Sequence, residues 1–128
     1  MPLVTLVPLV LLAACGSADP VDETHRGELT STDPRHPSDQ SSYDEYAFTA
    51  DKGYTVDVEM SSESFDTFIH IIGPEGEDWQ NDDRAGDDWN SRRQFVATSS
   101  GTYRVWANSH RPGAEGPYQL RIRTTEAN

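Results

Sequence analysis

Residues 64–108 read SFDTFIHIIGPEGEDWQNDDRAGDDWNSRRQFVATSSGTYRVWAN, and the punctuation of this stretch decides the fold. Ile69 and Ile71 alternate with Phe68 and His70, so residues 67–72 predict a strand with the isoleucines inward. Gly73-Pro74-Glu75-Gly76 then turns the chain. A long acidic loop follows. Beyond it Arg93, Phe95 and Ala97 alternate with Gln94 and Val96, and Tyr103, Val105 and Ala107 alternate with Arg104, Trp106 and Asn108. Ser99-Ser100-Gly101 reads as a hairpin turn between these two strands, because Gly101 takes a positive φ without steric cost.

The same rhythm extends outward. Tyr54, Val56, Val58 and Met60 alternate with Thr55, Asp57 and Glu59, the cleanest period of two in the chain. Tyr118, Leu120 and Ile122 alternate with Gln119, Arg121 and Arg123. Gly27-Glu28-Leu29 starts a first strand, residues 30–42 are loop, and Tyr46-Ala47-Phe48 is a second strand. No stretch has a convincing period of 3.6. The expectation is an all-β, antiparallel, jelly-roll-like β-sandwich, one domain after a signal peptide. Its core should hold Tyr54, Val56, Val58, Ile69, Ile71, Phe95, Tyr103, Val105, Leu120 and Ile122.

Composition narrows the function. The chain has 128 residues, room for one domain. It carries 22 Asp plus Glu against 10 Lys plus Arg, a formal charge of -12. No basic stripe exists to displace phosphate counterions, which excludes nucleic acid as a partner. Charge alone would not hold the chain on an anionic bilayer either. The single cysteine rules out an internal disulfide, so packing must hold the core.

Residues 1–14 read MPLVTLVPLVLLAA, an uncharged apolar run too short to span a bilayer. Leu12-Ala13-Ala14-Cys15 resembles the lipobox of bacterial lipoproteins. That resemblance implies cleavage after Ala14, lipid on Cys15 and anchoring in the cell envelope. Gly16 rather than Asp after the cysteine implies the outer membrane where there are two. Residues 15–26 are then the lipidated cysteine and a flexible tether, residues 27–124 the sandwich, and residues 125–128 a tail.

Nine short motifs fall in a familiar order. They are Gly27-x-Leu29, Asp44-x-Tyr46-x-Phe48, Gly53, Phe65-Asp66-Thr67, Gly73-Pro74-x-Gly76, Asn81-Asp82-Asp83, Asn90-Ser91, Ser100-Gly101-Thr102-Tyr103 and Gly116-x-Tyr118-x-Leu120. The pattern resembles the bacterial pre-peptidase C-terminal domain. The resemblance implies a β-sandwich accessory module without catalysis of its own, commonly appended to secreted proteases. Some similar domains bind calcium, and some related ones bind collagen.

Two constellations are candidates for binding. Glu75, Glu77, Asp78, Asp82, Asp83, Asp87 and Asp88 crowd one loop with Arg84 as its cation. Calcium takes six to eight oxygen ligands, and Asp82 and Asp83 with Asn81, Asp87 and Asp66 offer such a set, outside EF-hand spacing. The alternative is a solvated loop whose Asp and Asn side chains cap its own turns. A looser acidic group is Asp39, Asp44 and Glu45, with Asp19, Asp22 and Glu23 upstream.

Trp106 shares a strand face with Arg104, a pairing suited to an interface, or else simply packed. Trp79 and Trp89 flank the acidic loop, placed to staple its ends. The four histidines show no metal-protease spacing and no GxSxG elbow occurs, so no catalytic residue is assigned. The function expected is a lipid-anchored, non-catalytic module for a protein or peptide partner, with calcium the one cofactor. A carbohydrate-binding module is the alternative, and a hydrolase the remote one. A coplanar row of exposed rings would favour sugar; a mixed arginine and tryptophan patch would favour protein.

Overall fold

Alternation becomes two layers. The computed structural model describes residues 18–37, 40–81 and 90–127. Among these residues eight strands form: β1 (Asp22–Leu29), β2 (Tyr43–Ala50), β3 (Thr55–Ser61), β4 (Thr67–Ile72), β5 (Asp78–Asn81), β6 (Ser91–Val96), β7 (Gly101–Ser109) and β8 (Gly116–Thr125). They form two four-stranded antiparallel sheets, ordered β1-β8-β3-β6 and β2-β7-β4-β5. That order is a jelly roll, in which successive strands mostly change sheet. Every residue expected inside is buried, and Leu29, Phe48, Ala50, Met60, Phe65, Ala97, Ala107 and Tyr118 join them.

Three features differ from the sequence reading. First, β1 begins at Asp22, inside the expected tether, and the chain is bonded to the domain from Ala18 onward. Ala18 N donates to Asp51 Oδ2 at 3.0 Å, and Val21 N donates to Thr124 Oγ1 at 2.9 Å. Of β1 only Leu29 is buried, so its earlier residues pair with β8 without burying apolar side chains and leave no apolar alternation to detect.

Second, β5 lies where only loop was expected. It pairs with β4 from Ile69↔Asn81 to Ile72↔Asp78. Trp79 stacks on Phe95 across the sandwich, centroids 3.9 Å apart, and so closes the core at that edge. Trp89, its expected partner at the other end of the loop, lies outside the described residues.

Third, the turn at Ser99-Ser100-Gly101 is not a hairpin. β6 pairs with β3, while β7 pairs with β2 and β4, so the turn arches from one sheet to the other. Gly101 at φ +148° serves an arch as readily as a hairpin, and local turn chemistry cannot say which. The buried Tyr103 hydroxyl donates to Ser99 O at 2.6 Å and holds the arch shut.

A carboxylate ties this arch to the β4–β5 turn. Glu77 Oε2 accepts from Ser99 Oγ at 2.5 Å and Thr98 Oγ1 at 2.7 Å, and Oε1 accepts from Glu75 N at 2.8 Å. The Ser99 and Thr98 hydroxyls hold the Glu77 carboxyl down at about 2. A depressed carboxyl contributes stability above its ordinary value of 4.5, and that contribution is lost as pH falls towards about 2. Urea unfolding between those limits should therefore show wild-type stability falling more steeply than that of Glu77→Gln. Parallel acid profiles would mean the carboxylate is not held this way.

The two outer faces differ in kind. On the first sheet, Asp57 is 6% exposed beneath two arginines. Arg92 donates Nε to Oδ1 at 3.0 Å and Nη2 to Oδ2 at 2.8 Å, and Arg123 Nη2 donates at 3.3 Å. These bonds, Arg92's first, lower the Asp57 carboxyl below its ordinary range. The second sheet's outer face carries rings.

At the far end from Asp22 the sheets are clasped by a phenol pair. Tyr46 and Tyr118 hydroxyls lie 2.6 Å apart, and Tyr118 donates to Asp44 Oδ2 at 2.5 Å. Burial pushes the Asp44 carboxyl and both phenols up. Gly27 is needed there, since a Cβ would stand 2.4 Å from the Tyr118 oxygen.

Candidate functional site

One rung crosses the second sheet through Glu45 of β2, Trp106 of β7, His70 of β4 and Gln80 of β5. Strand alternation puts all four on the outer face. Trp106 is half-buried there, with its indole Nε1 donating to Glu45 Oε2 at 2.9 Å. Arg104, two residues before it on the same face, reaches the same oxygen at 3.4 Å. Tyr43 stacks on the indole with centroids 4.1 Å apart and planes 16° from parallel.

Two imidazoles stand edge-on to that indole. His70 is 5.1 Å away at 79°, and His36 is 5.4 Å away at 86°. His36 comes from the connection between β1 and β2, whose residues 34–36 and 41–42 lie against this end of the sheet. Asn108, 1% exposed, anchors the loop by donating Nδ2 to Ser41 Oγ at 2.9 Å and to Ser42 O at 2.5 Å. The Arg35↔Ser42 bridge closes the loop on itself. The patch is therefore three rings, one phenol and two imidazoles, around one indole, with Glu45, Arg104 and Asp78 at its margin.

The expected binding pair, Trp106 and Arg104, is thus brought together, joined through Glu45. Tyr43, Glu45, His36 and His70 were not singled out with them. His70 was legible as an outward residue of β4. The approach of His36 across 34 residues had no local signal. The expected calcium ligands fare differently. Asp82, Asp83 and Asp87 lie outside the described residues, as does Cys15. Asn81 ends β5, with Nδ2 donating to the Arg92 carbonyl. Asp66 precedes β4, and its carbonyl accepts from His110 N at 2.8 Å. Asn81 pairs with Ile69, three residues beyond Asp66, which separates the two by about 10 Å along the strand. Among the described residues no three His, Cys, Asp or Glu converge to hold a metal.

Apart from this patch, a shallow depression lies at the same end of the sandwich on the first sheet's side, lined by Arg26, Ser62, Ser64, Asn90, Pro117 and Gln119. Ser62 Oγ is already spent, donating to Pro117 O at 2.8 Å.

No protein-family model matches the chain, and no curated protein matches it. Solved structures do. One is PliG of Aeromonas hydrophila, a periplasmic lysozyme inhibitor of g-type lysozyme. It is 17% identical over 86% of this chain and 89% of its own, with a TM-score of 0.58. PliG of Salmonella Typhimurium is 19% identical over 81% and 87%, with a TM-score of 0.57. The pre-peptidase C-terminal domain of a Bacillus anthracis collagenase is 15% identical over 80% and 89%, with a TM-score of 0.58. Likeness at this identity shows a shared fold. The fold implied by the sequence resemblance is the fold found.

Proposed function

We propose that this chain is a non-catalytic binding module of the cell envelope, and that a protein partner docks on the patch around Trp106. The observation that carries this reading is the composition of the patch. A sugar platform needs ring faces lying open side by side. Here Tyr43 covers one indole face, and two imidazoles stand edge-on to the ring. What is left to a partner is an indole margin flanked by an arginine and a glutamate, the mixed surface that suits a protein. The fold neighbours add a first partner to try, since PliG inhibits g-type lysozyme.

The test immobilises the purified protein and passes over it a g-type lysozyme and, separately, a solubilised bacterial envelope extract. Retention of a defined protein is expected, and Arg104→Glu should abolish it by reversing charge at the patch. Retention equal in the variant, or of glycan without protein, would sink the reading.

Position supports the same role. Asp22, where the chain enters the first sheet, lies at one end of the sandwich; Tyr43 and Trp106 lie at the other. A lipid on Cys15 would then present the patch away from the membrane by about one strand length, roughly 25 Å. Mass spectrometry of the membrane fraction should find Cys15 acylated and residues 1–14 removed.

Calcium on Asp82, Asp83 and Asp87, helped by Asn81, is proposed as a local support of the loop; Asp66, about 10 Å from Asn81 along the strand, is left out of the set. The motive is repulsion among crowded carboxylates. Extracellular calcium modules bind with constants of about 10⁻⁴–10⁻³ M. Millimolar calcium would then add about 0.4–1.4 kcal/mol, a melting shift of about 2–10 °C over EDTA. Magnesium should not reproduce the shift, and Asp82→Asn with Asp83→Asn should remove it. Equal action of the two ions would leave only a solvated acidic loop.

A further inference from the structure

The patch contains a contact that docking a protein does not require. His36 Nε2 and His70 Nδ1 are hydrogen-bonded to each other at 3.3 Å, so one ring's proton lies between them and has to leave when an ion takes its place. We propose that these two nitrogens form an open site for a borderline transition-metal dication, of the class of Zn²⁺, Ni²⁺ or Cu²⁺.

The spacing is the first argument. An ion bound tetrahedrally holds imidazole nitrogens at 2.0–2.1 Å, which sets two of them about 3.3–3.4 Å apart. The pair already stands at that separation, so binding requires little movement of either ring.

The second argument is the far side of His70. Its Nε2 lies 3.0 Å from Asp78 Oδ1, within charge contact but without an aligned hydrogen bond. With the ring proton on Nε2, the side of the carboxylate, Nδ1 presents its lone pair to His36. Carboxylate behind imidazole is the usual outer support of a metal-bound histidine.

The third argument is order. His70 is 8% exposed on a central strand, and His36 rides a loop fastened by Asn108. Both ligands are positioned before any ion arrives.

Charge and ligand type narrow the ion. Asp78 stands beside His70, in a chain of formal charge -12. Neutral imidazoles suit zinc, nickel and copper, whereas calcium and magnesium take oxygen. No third His, Cys, Asp or Glu of the described residues closes the set. The described residues leave the remaining positions to water or to a partner's side chain. The site does not depend on the partner reading, because it is measured on the protein alone.

EDTA-stripped protein is titrated at neutral pH with Zn²⁺ by calorimetry, and with Cu²⁺, as the quenching and paramagnetic probe, by calorimetry and by tryptophan fluorescence. The expected result is one ion per chain, with Cu²⁺ quenching Trp106, whose ring is within 5.4 Å of both imidazoles. Trp106→Phe should lose most of the quenching and keep the calorimetric binding. His36→Gln, a loop substitution, should weaken affinity by more than about tenfold, and Asp78→Asn by about 10–100-fold. On wild-type protein, NMR broadening by Cu²⁺ should centre on the His36 and His70 rings, which needs no variant to fold. Excess calcium should not displace the ion. Absence of saturable binding, undiminished binding in His36→Gln, broadening centred elsewhere, or displacement by calcium would each overturn the proposal.

Discussion

Ile71→Ala is expected to lower the free energy of unfolding by about 2–5 kcal/mol. Ile71 is fully buried on β4, registered between Val105 of β7 and Trp79 of β5. Hydrogen bonds on both sides of the strand stop the backbone from closing on the space left behind. The loss therefore combines transfer free energy with a residual cavity. Arg121→Ala supplies the comparison. Arg121 points outward on β8 and meets Asp22 through two 3.0 Å bonds in an exposed pair. Exposed pairs are worth about 0–1 kcal/mol. Urea unfolding of both variants measures the difference, and equal losses would mean that the inward and outward faces have been exchanged.

Trp106→Ala is expected to weaken partner binding by about 2–4 kcal/mol, which is roughly 30- to 1,000-fold in the dissociation constant. The indole is the one large ring at the centre of the patch, half-covered already, so a partner completes its burial at small entropic cost. Its removal also takes away the Tyr43 stack and the bond to Glu45, so melting must be measured beside affinity. Trp106→Phe separates the two. It keeps a ring for Tyr43 but loses the Nε1 donor. The site is placed wrongly if Trp106→Ala remains folded and binds the captured partner as wild type does.

How much of this was legible depended on the range of the forces involved. Strand interiors were readable because a half-buried strand writes its two faces into alternate residues; Val56, Val58, Leu120 and Ile122 lie where alternation put them. β5 was not, because a four-residue edge strand with one inward ring, Trp79, has too few positions to show a period. The arch at Gly101 was misread since turn residues record local backbone angles, while the choice of sheet is made by distant partners. Trp106 and Arg104 could be placed on one face from their spacing of two. His36 could not, because its loop is set against the sheet by Asn108 through contacts 66 and 67 residues away in sequence.

The pairing of β1 with β8 bears on mechanical load. All eight residues of β1 register with β8, from Asp22↔Arg123 to Leu29↔Gly116. If the chain is held at its N-terminus and a partner pulls at the Trp106 end, the force runs parallel to β1. Antiparallel hydrogen bonds lie perpendicular to the strands, so the whole β1–β8 ladder would be loaded in shear at once rather than peeled apart bond by bond. Reversing the geometry, by attaching the surface after Leu29 instead of before Asp22, would load the same ladder one rung at a time. Such a domain should part from its anchor strand at a lower force.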